Sequence, residues 1–125
     1  MDIEVTKDQH NEHKIPNVWR DTLRQIVEFF RLQEPITKGA IPFVDPVASD
    51  EWSRMSENIS SYGDKLVSLC DETWRTSVCR WQLGYWEVIV DLCTEKEGLS
   101  DLVLFLSVRE NERFFSFEIS SINVP

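Results

Sequence analysis

Between residues 85 and 124 apolar and polar side chains alternate with a period of two in three successive segments, and that period constrains the chain more than any other feature. Residues 85–94 put Trp86, Val88, Val90 and Leu92 on one side; residues 101–110 do the same with Leu102, Leu104, Leu106 and Val108. Residues 113–124 alternate Phe115, Phe117 and Ile119 against Phe114, Ser116, Glu118 and Ser120. Successive side chains of a strand point to opposite faces, so each segment reads as a strand with one buried face. Their spacing is that of hairpins, with turns over residues 95–98 and 110–112. A fourth strand over residues 74–81 is expected before them, with a turn at Leu83-Gly84.

The first half has a different period. From Val18 to Leu32 the apolar positions Trp19, Leu23, Ile26, Val27 and Phe30 form one helical stripe, with Asn17 as the expected N-cap and Pro35 closing the segment. Residues 35–48 hold three prolines and a glycine and read as an irregular segment packed on the body. Trp52, Met55, Ile59 and Tyr62 define a second helix starting at Ser49 or Asp50, with Gly63 as its stop. Residues 64–72 suit a helix or an extended segment. Residues 1–15 are polar and are expected to be a flexible or loosely docked arm. The predicted fold is therefore α+β: one domain of 125 residues, helical over 16–72, packed on a four-stranded antiparallel meander over 73–125.

The second face of that sheet is not fully polar, since it carries Tyr85, Ile89, Cys93, Val103 and Phe105. Cover from within the chain is the plainest expectation, and a homodimer or another partner would use the same face.

Thirteen Lys and Arg stand against 22 Asp and Glu, a net charge of −9. Such a charge repels nucleic acid and anionic membranes. No run is long and apolar enough to span a bilayer, and residues 1–5 carry no basic stretch leading into an apolar one, so neither a membrane span nor a secretory signal is expected. Three cysteines, Cys70, Cys79 and Cys93, make an odd count beside apolar neighbours, which reads as reduced thiols in a cytoplasmic protein.

Little in the sequence points to catalysis. The two histidines, His10 and His13, fall in the polar arm, away from any nucleophile pattern. Asp8, His10, Glu12 and His13 are too loosely spaced for a metal site. A calcium loop aligned on Gly98 would need carboxylates at Cys93 and Leu104, so that match fails at both ends. No catalytic residue, metal or cofactor is expected. The acidic residues are concentrated instead: residues 44–73 and 87–101 together carry the whole net charge of −9. A concentrated negative surface serves solubility, or docks a basic protein by speeding encounter and fixing orientation.

The run Trp86-Glu87-Val88-Ile89-Val90-Asp91-Leu92-Cys93-Thr94-Glu95-Lys96-Glu97-Gly98-Leu99-Ser100-Asp101-Leu102 resembles the core motif of a family of small bacterial proteins of unassigned function, with the pattern V-D-L-W-T-x-E-E-G-x-S-D-L. Cys93 stands where that family tends to carry an aromatic, and Lys96-Glu97 replaces a double acid. Small acidic α+β proteins of this kind also resemble the immunity proteins of contact-dependent and other polymorphic toxin systems. The resemblance implies binding to a cognate toxin domain, with a basic nuclease best matched to the charge. The expected contacts are Asp91, Glu95, Glu97 and Asp101, with Asp71 and Glu72 as outer members and Trp74 and Trp81 as exposed anchors. The run has a plain reading too, as residues that only specify a hairpin. A competing expectation is a ligand or enzymatic pocket lined by Trp19, Trp52, Trp86 and Phe117.

Overall fold

The computed structural model describes residues 5–125. Five antiparallel strands form one sheet in sequence order: β1 (His13–Lys14), β2 (Val78–Trp81), β3 (Trp86–Thr94), β4 (Gly98–Glu110) and β5 (Phe115–Asn123). Three helices complete the fold: α1 (Asn17–Arg31), α2 (Ser49–Tyr62) and the single turn α3 (Thr73–Thr76). The fold is α+β with an antiparallel meander, as the alternating periods require.

Two details differ from the expected four strands. Within the expected arm, His13 and Lys14 pair with Cys79 and Val78 as an edge strand, and Ile15 is buried in the core. The arm is docked rather than flexible from residue 5 onward: Val5 packs against the core and the Trp86 indole donates to the Thr6 carbonyl at 2.9 Å. Residues 1–4 of the expected arm lie outside the described residues. The expected strand over 74–81 is shorter, because Thr73 to Thr76 close a helical turn before β2 begins at Val78.

The helices share one face of the sheet. The α1 stripe of Trp19, Leu23, Ile26, Val27 and Phe30 is buried against Trp86, Val88, Val90, Leu92, Leu102, Leu104, Leu106 and Val108. Pro16, not Asn17, precedes the first turn, and no side chain caps it. α2 begins at Ser49 and lies against β5, where the Asn58 amide donates to the Ile122 carbonyl at 2.8 Å. Gly63 ends it in the left-handed conformation (φ 85°), which glycine adopts without a Cβ penalty.

The outer edge of β3 is completed by three different devices. Beside its first half runs β2, with Val78 opposite Ile89 and Trp81 opposite Trp86. At Asp91 two buried hydroxyls replace the strand: Asp91 N–H donates to Ser77 Oγ at 2.9 Å, and Thr73 Oγ1 donates to the Asp91 carbonyl at 2.5 Å. The two hydroxyls lie 2.7 Å apart, so Ser77 donates in turn to Thr73. Beyond them the segment after α2 takes over, with Val67 N–H on the Cys93 carbonyl (3.0 Å) and Glu95 N–H on the Lys65 carbonyl (2.9 Å). Residues 64–72 are thus neither helix nor strand, and pair with the sheet's backbone at one bridge, between Leu66 and Thr94.

Cys70 and Cys93 form a disulfide with their Cα atoms 6.1 Å apart, which corrects the expectation of three reduced thiols. Cys79 alone is free and buried; burial pushes its thiol up to about 11.

Candidate functional site

The turn joining β3 to β4 is an acidic projection built on a firmly tied base. Glu95 and Glu97 are exposed on the turn and Asp101 is exposed where β4 emerges. Tyr62, the last residue of α2, ties this end together. Its hydroxyl donates to Glu97 Oε1 at 2.7 Å and accepts from Asp101 N–H at 3.0 Å. That N–H favours the phenolate, but the Glu97 carboxylate, desolvation and the Asp101 charge together outweigh it and raise the Tyr62 pKa.

Asp64 supplies the second tie. One of its oxygens accepts from Lys65 N–H at 2.8 Å and the other from Lys96 N–H at 3.2 Å. The neighbouring Thr94 hydroxyl, with these N–H groups and the Lys96 charge, holds its carboxyl below the usual range. Within the hairpin the Ser100 hydroxyl donates to the Leu92 carbonyl at 2.8 Å, and its oxygen accepts from Leu102 N–H at 3.1 Å. The pairing register shifts there, between Asp91 and Cys93. The disulfide anchors the segment bearing Asp71 and Glu72, both exposed, to the same end of β3.

Next to this projection lies an open groove of about 1060 Å³ between the end of α1, α2 and the turn. Phe30 and Trp52 line it with stacked rings, 4.3 Å between centroids and 20° between planes. Glu57, Asp64 and Glu95 line it together with Arg31, Lys65 and Lys96. Arg31 is held by Glu28, whose carboxyl is lowered first by the Ser68 hydroxyl and then by Arg31 itself. Stacked aromatics under a rim of mixed charge make a surface for recognition.

The structure brings Glu95, Glu97 and Asp101 together, with Asp71 and Glu72 at the flank. It sets Asp91 apart. That carboxylate lies on the sheet face away from α1 and α2 and accepts from the Thr76 hydroxyl of α3. The two expected anchors are not free. Trp74 is 7% exposed, because α3 turns its indole beneath Arg20 and Arg24, whose guanidinium carbons sit 5.0 and 5.2 Å from the ring centroid. Trp81 is half-buried against Trp86 at 4.7 Å and lies under Lys7. The expected pocket is also corrected: Trp19, Trp86 and Phe117 fill the core, Trp19 lying 5.3 Å from Trp86 and 6.5 Å from Phe117. Of that set only Trp52 lines the groove. Sequence reasoning passed over Tyr62 and Asp64, whose signal was their position on either side of the Gly63 helix stop.

Asp8 organises the docked arm. The His13 ring, His10 N–H and the Asn11 amide converge on its carboxylate, which is held far below the usual range. Among the described residues no three His, Cys, Asp or Glu side chains converge to hold a metal, and no helix is long and apolar enough to cross a membrane.

Fold and site define a small α+β protein whose helices cover one face of a five-stranded meander and whose longest hairpin carries an acidic, hydrogen-bonded turn. The chain belongs to the family described as Domain of unknown function (DUF7668), which matches residues 27–125 and so takes in the C-terminal end of α1, the groove and the whole hairpin. No curated protein and no solved structure matches the chain.

Proposed function

We propose that this chain is an immunity protein that binds a cognate, basic toxin domain, a nuclease fitting best, and blocks its active site without chemistry of its own. One observation carries the reading: Glu95, Glu97 and Asp101 stand exposed on a turn whose backbone is fixed by hydrogen bonds to Tyr62 and Asp64. Carboxylates presented on a fixed frame lose little entropy on docking, and their common sign steers a cationic partner. The reading places the protein in the cytoplasm, where thiol pools would open the Cys70–Cys93 bond; thiol trapping in cells that finds the bond intact would overturn that location.

The functional test is co-expression with the C-terminal portion of the product of the neighbouring upstream reading frame. Toxicity relieved by this chain supports the reading. The triple variant Glu95→Lys, Glu97→Lys, Asp101→Lys should fold, lose rescue and bind the toxin about 100-fold more weakly. A harmless neighbour, or full rescue by the triple variant, overturns it. The groove supports a second reading, small-ligand binding over Phe30 and Trp52. Quenching of Trp52 fluorescence by a screened ligand, lost in Arg31→Ala, would favour it.

A further inference from the structure

The face of the sheet turned away from the helices carries an apolar band with a charge at either side. In one cross-strand row Arg80 of β2, Glu87 of β3, Ser107 of β4 and Glu118 of β5 stand side by side. In the next row stand Lys14 of β1, Val78, Ile89, Phe105 and Ser121. Val78, Ile89 and Phe105 are half-buried, and none belongs to the core or packs against it. The contacts that Thr6 and Lys7 of the arm make with Trp86 and Trp81 lie on the opposite, helix side. Among the described residues Arg80 makes no ion pair, and its Nε atom is buried without a partner.

The order of these residues is self-complementary. A two-fold axis parallel to the strands, between β3 and β4, turns the β2–β5 part of each row onto its own reverse and leaves Lys14 of β1 outside the overlap. Arg80 of one copy then faces Glu118 of the other, twice, and Ile89 faces Phe105, also twice. We propose that a second copy of this chain packs on this face, sheet to sheet, as an isologous dimer. The apolar band forms the centre of the contact and the two Arg80–Glu118 pairs set its register. Glu118 is available for this role: its only contact with a cation here is Arg109 at 3.5 Å, and both side chains are more than half exposed. This surface is separate from the acidic turn, so its failure would leave the toxin reading untouched.

Sedimentation of the full chain at micromolar concentration should give twice the chain mass. Arg80→Glu and Glu118→Arg should each sediment as monomers, because each places like charges opposite one another at both contacts. Mixed in equal amounts, the two variants should recover the dimer mass, since both contacts are again of opposite sign in the mixed pair. Phe105→Asp should give monomers in every combination. If Arg80→Glu does not fold, Glu118→Arg alone decides, its side chain being exposed. A monomeric parent chain overturns the proposal and leaves the face to a different partner. So do a dimer indifferent to Glu118→Arg and a mixture of folded variants that stays monomeric.

Discussion

The two ends of the long β3–β4 pair are held by opposite physics. At the end nearest β2 the strands converge on aromatic rings: Trp86 lies 5.3 Å from Trp19, 4.7 Å from Trp81 and 5.9 Å from Phe115. Apolar area removed from water, together with edge-to-face ring contacts, supplies the stabilisation there. At the turn end the attachments are polar or covalent: Tyr62 to Glu97 and Asp101, Asp64 to Lys65 and Lys96, and Cys70 to Cys93. Around the end built of rings Leu83, Phe43 and Phe114 stand exposed. An end tied by hydrogen bonds leaves its charged groups outside, in fixed places.

Removing the largest ring should do most damage. Trp86→Ala deletes a fully buried indole and its bond to the Thr6 carbonyl, and should cost about 4 kcal/mol in chemical denaturation. A loss below about 1 kcal/mol would mean the aromatic end does not dominate stability. Opening the disulfide comes next. Replacing Cys70 and Cys93 together by Ser should cost about 3 kcal/mol, since the bond closes a loop with a separation of 23 residues. Hydrogen exchange in that variant should rise at residues 64–72 and 93–96 and stay unchanged around Trp86; uniform acceleration would break the contrast between the ends. The smallest effect is that of acid. The Asp64 carboxyl is lowered in the folded chain, so its contribution is complete above the ordinary Asp value and fades as pH falls through the lowered one. The Lys96 amide resonance should therefore titrate with a midpoint below that of an unstructured Asp, and Asp64→Asn should abolish that titration.

The same contrast explains what could be read in advance. The aromatic end was legible because periodicity reports burial: the α1 stripe and the alternation through β3, β4 and β5 each name a core face. The Gly63 stop was legible because few other residues take its φ. The polar end was not, because all but one of its ties join residues far apart in sequence, such as Tyr62 with Glu97 and Asp64 with Lys96. β1 is only two residues long and polar, too short for any period. Trp74 reads as an exposed anchor only if residues 74–81 form one strand. The helical turn at Thr73 rotates it under two arginines instead. The odd cysteine count argued against a bond that fold proximity makes.

The remaining thiol lends the molecule an internal clock. Cys79 sits beneath β1, its sulfur 3.7 Å from the Lys14 carbonyl, and burial keeps it protonated. A thiol reagent reaches it only after the core packing around it opens, and the reaction then needs a thiolate. With Cys70 and Cys93 bonded, the rate of labelling counts the openings of that packing. The inner side of β2 thus reports its own exposure without an added probe.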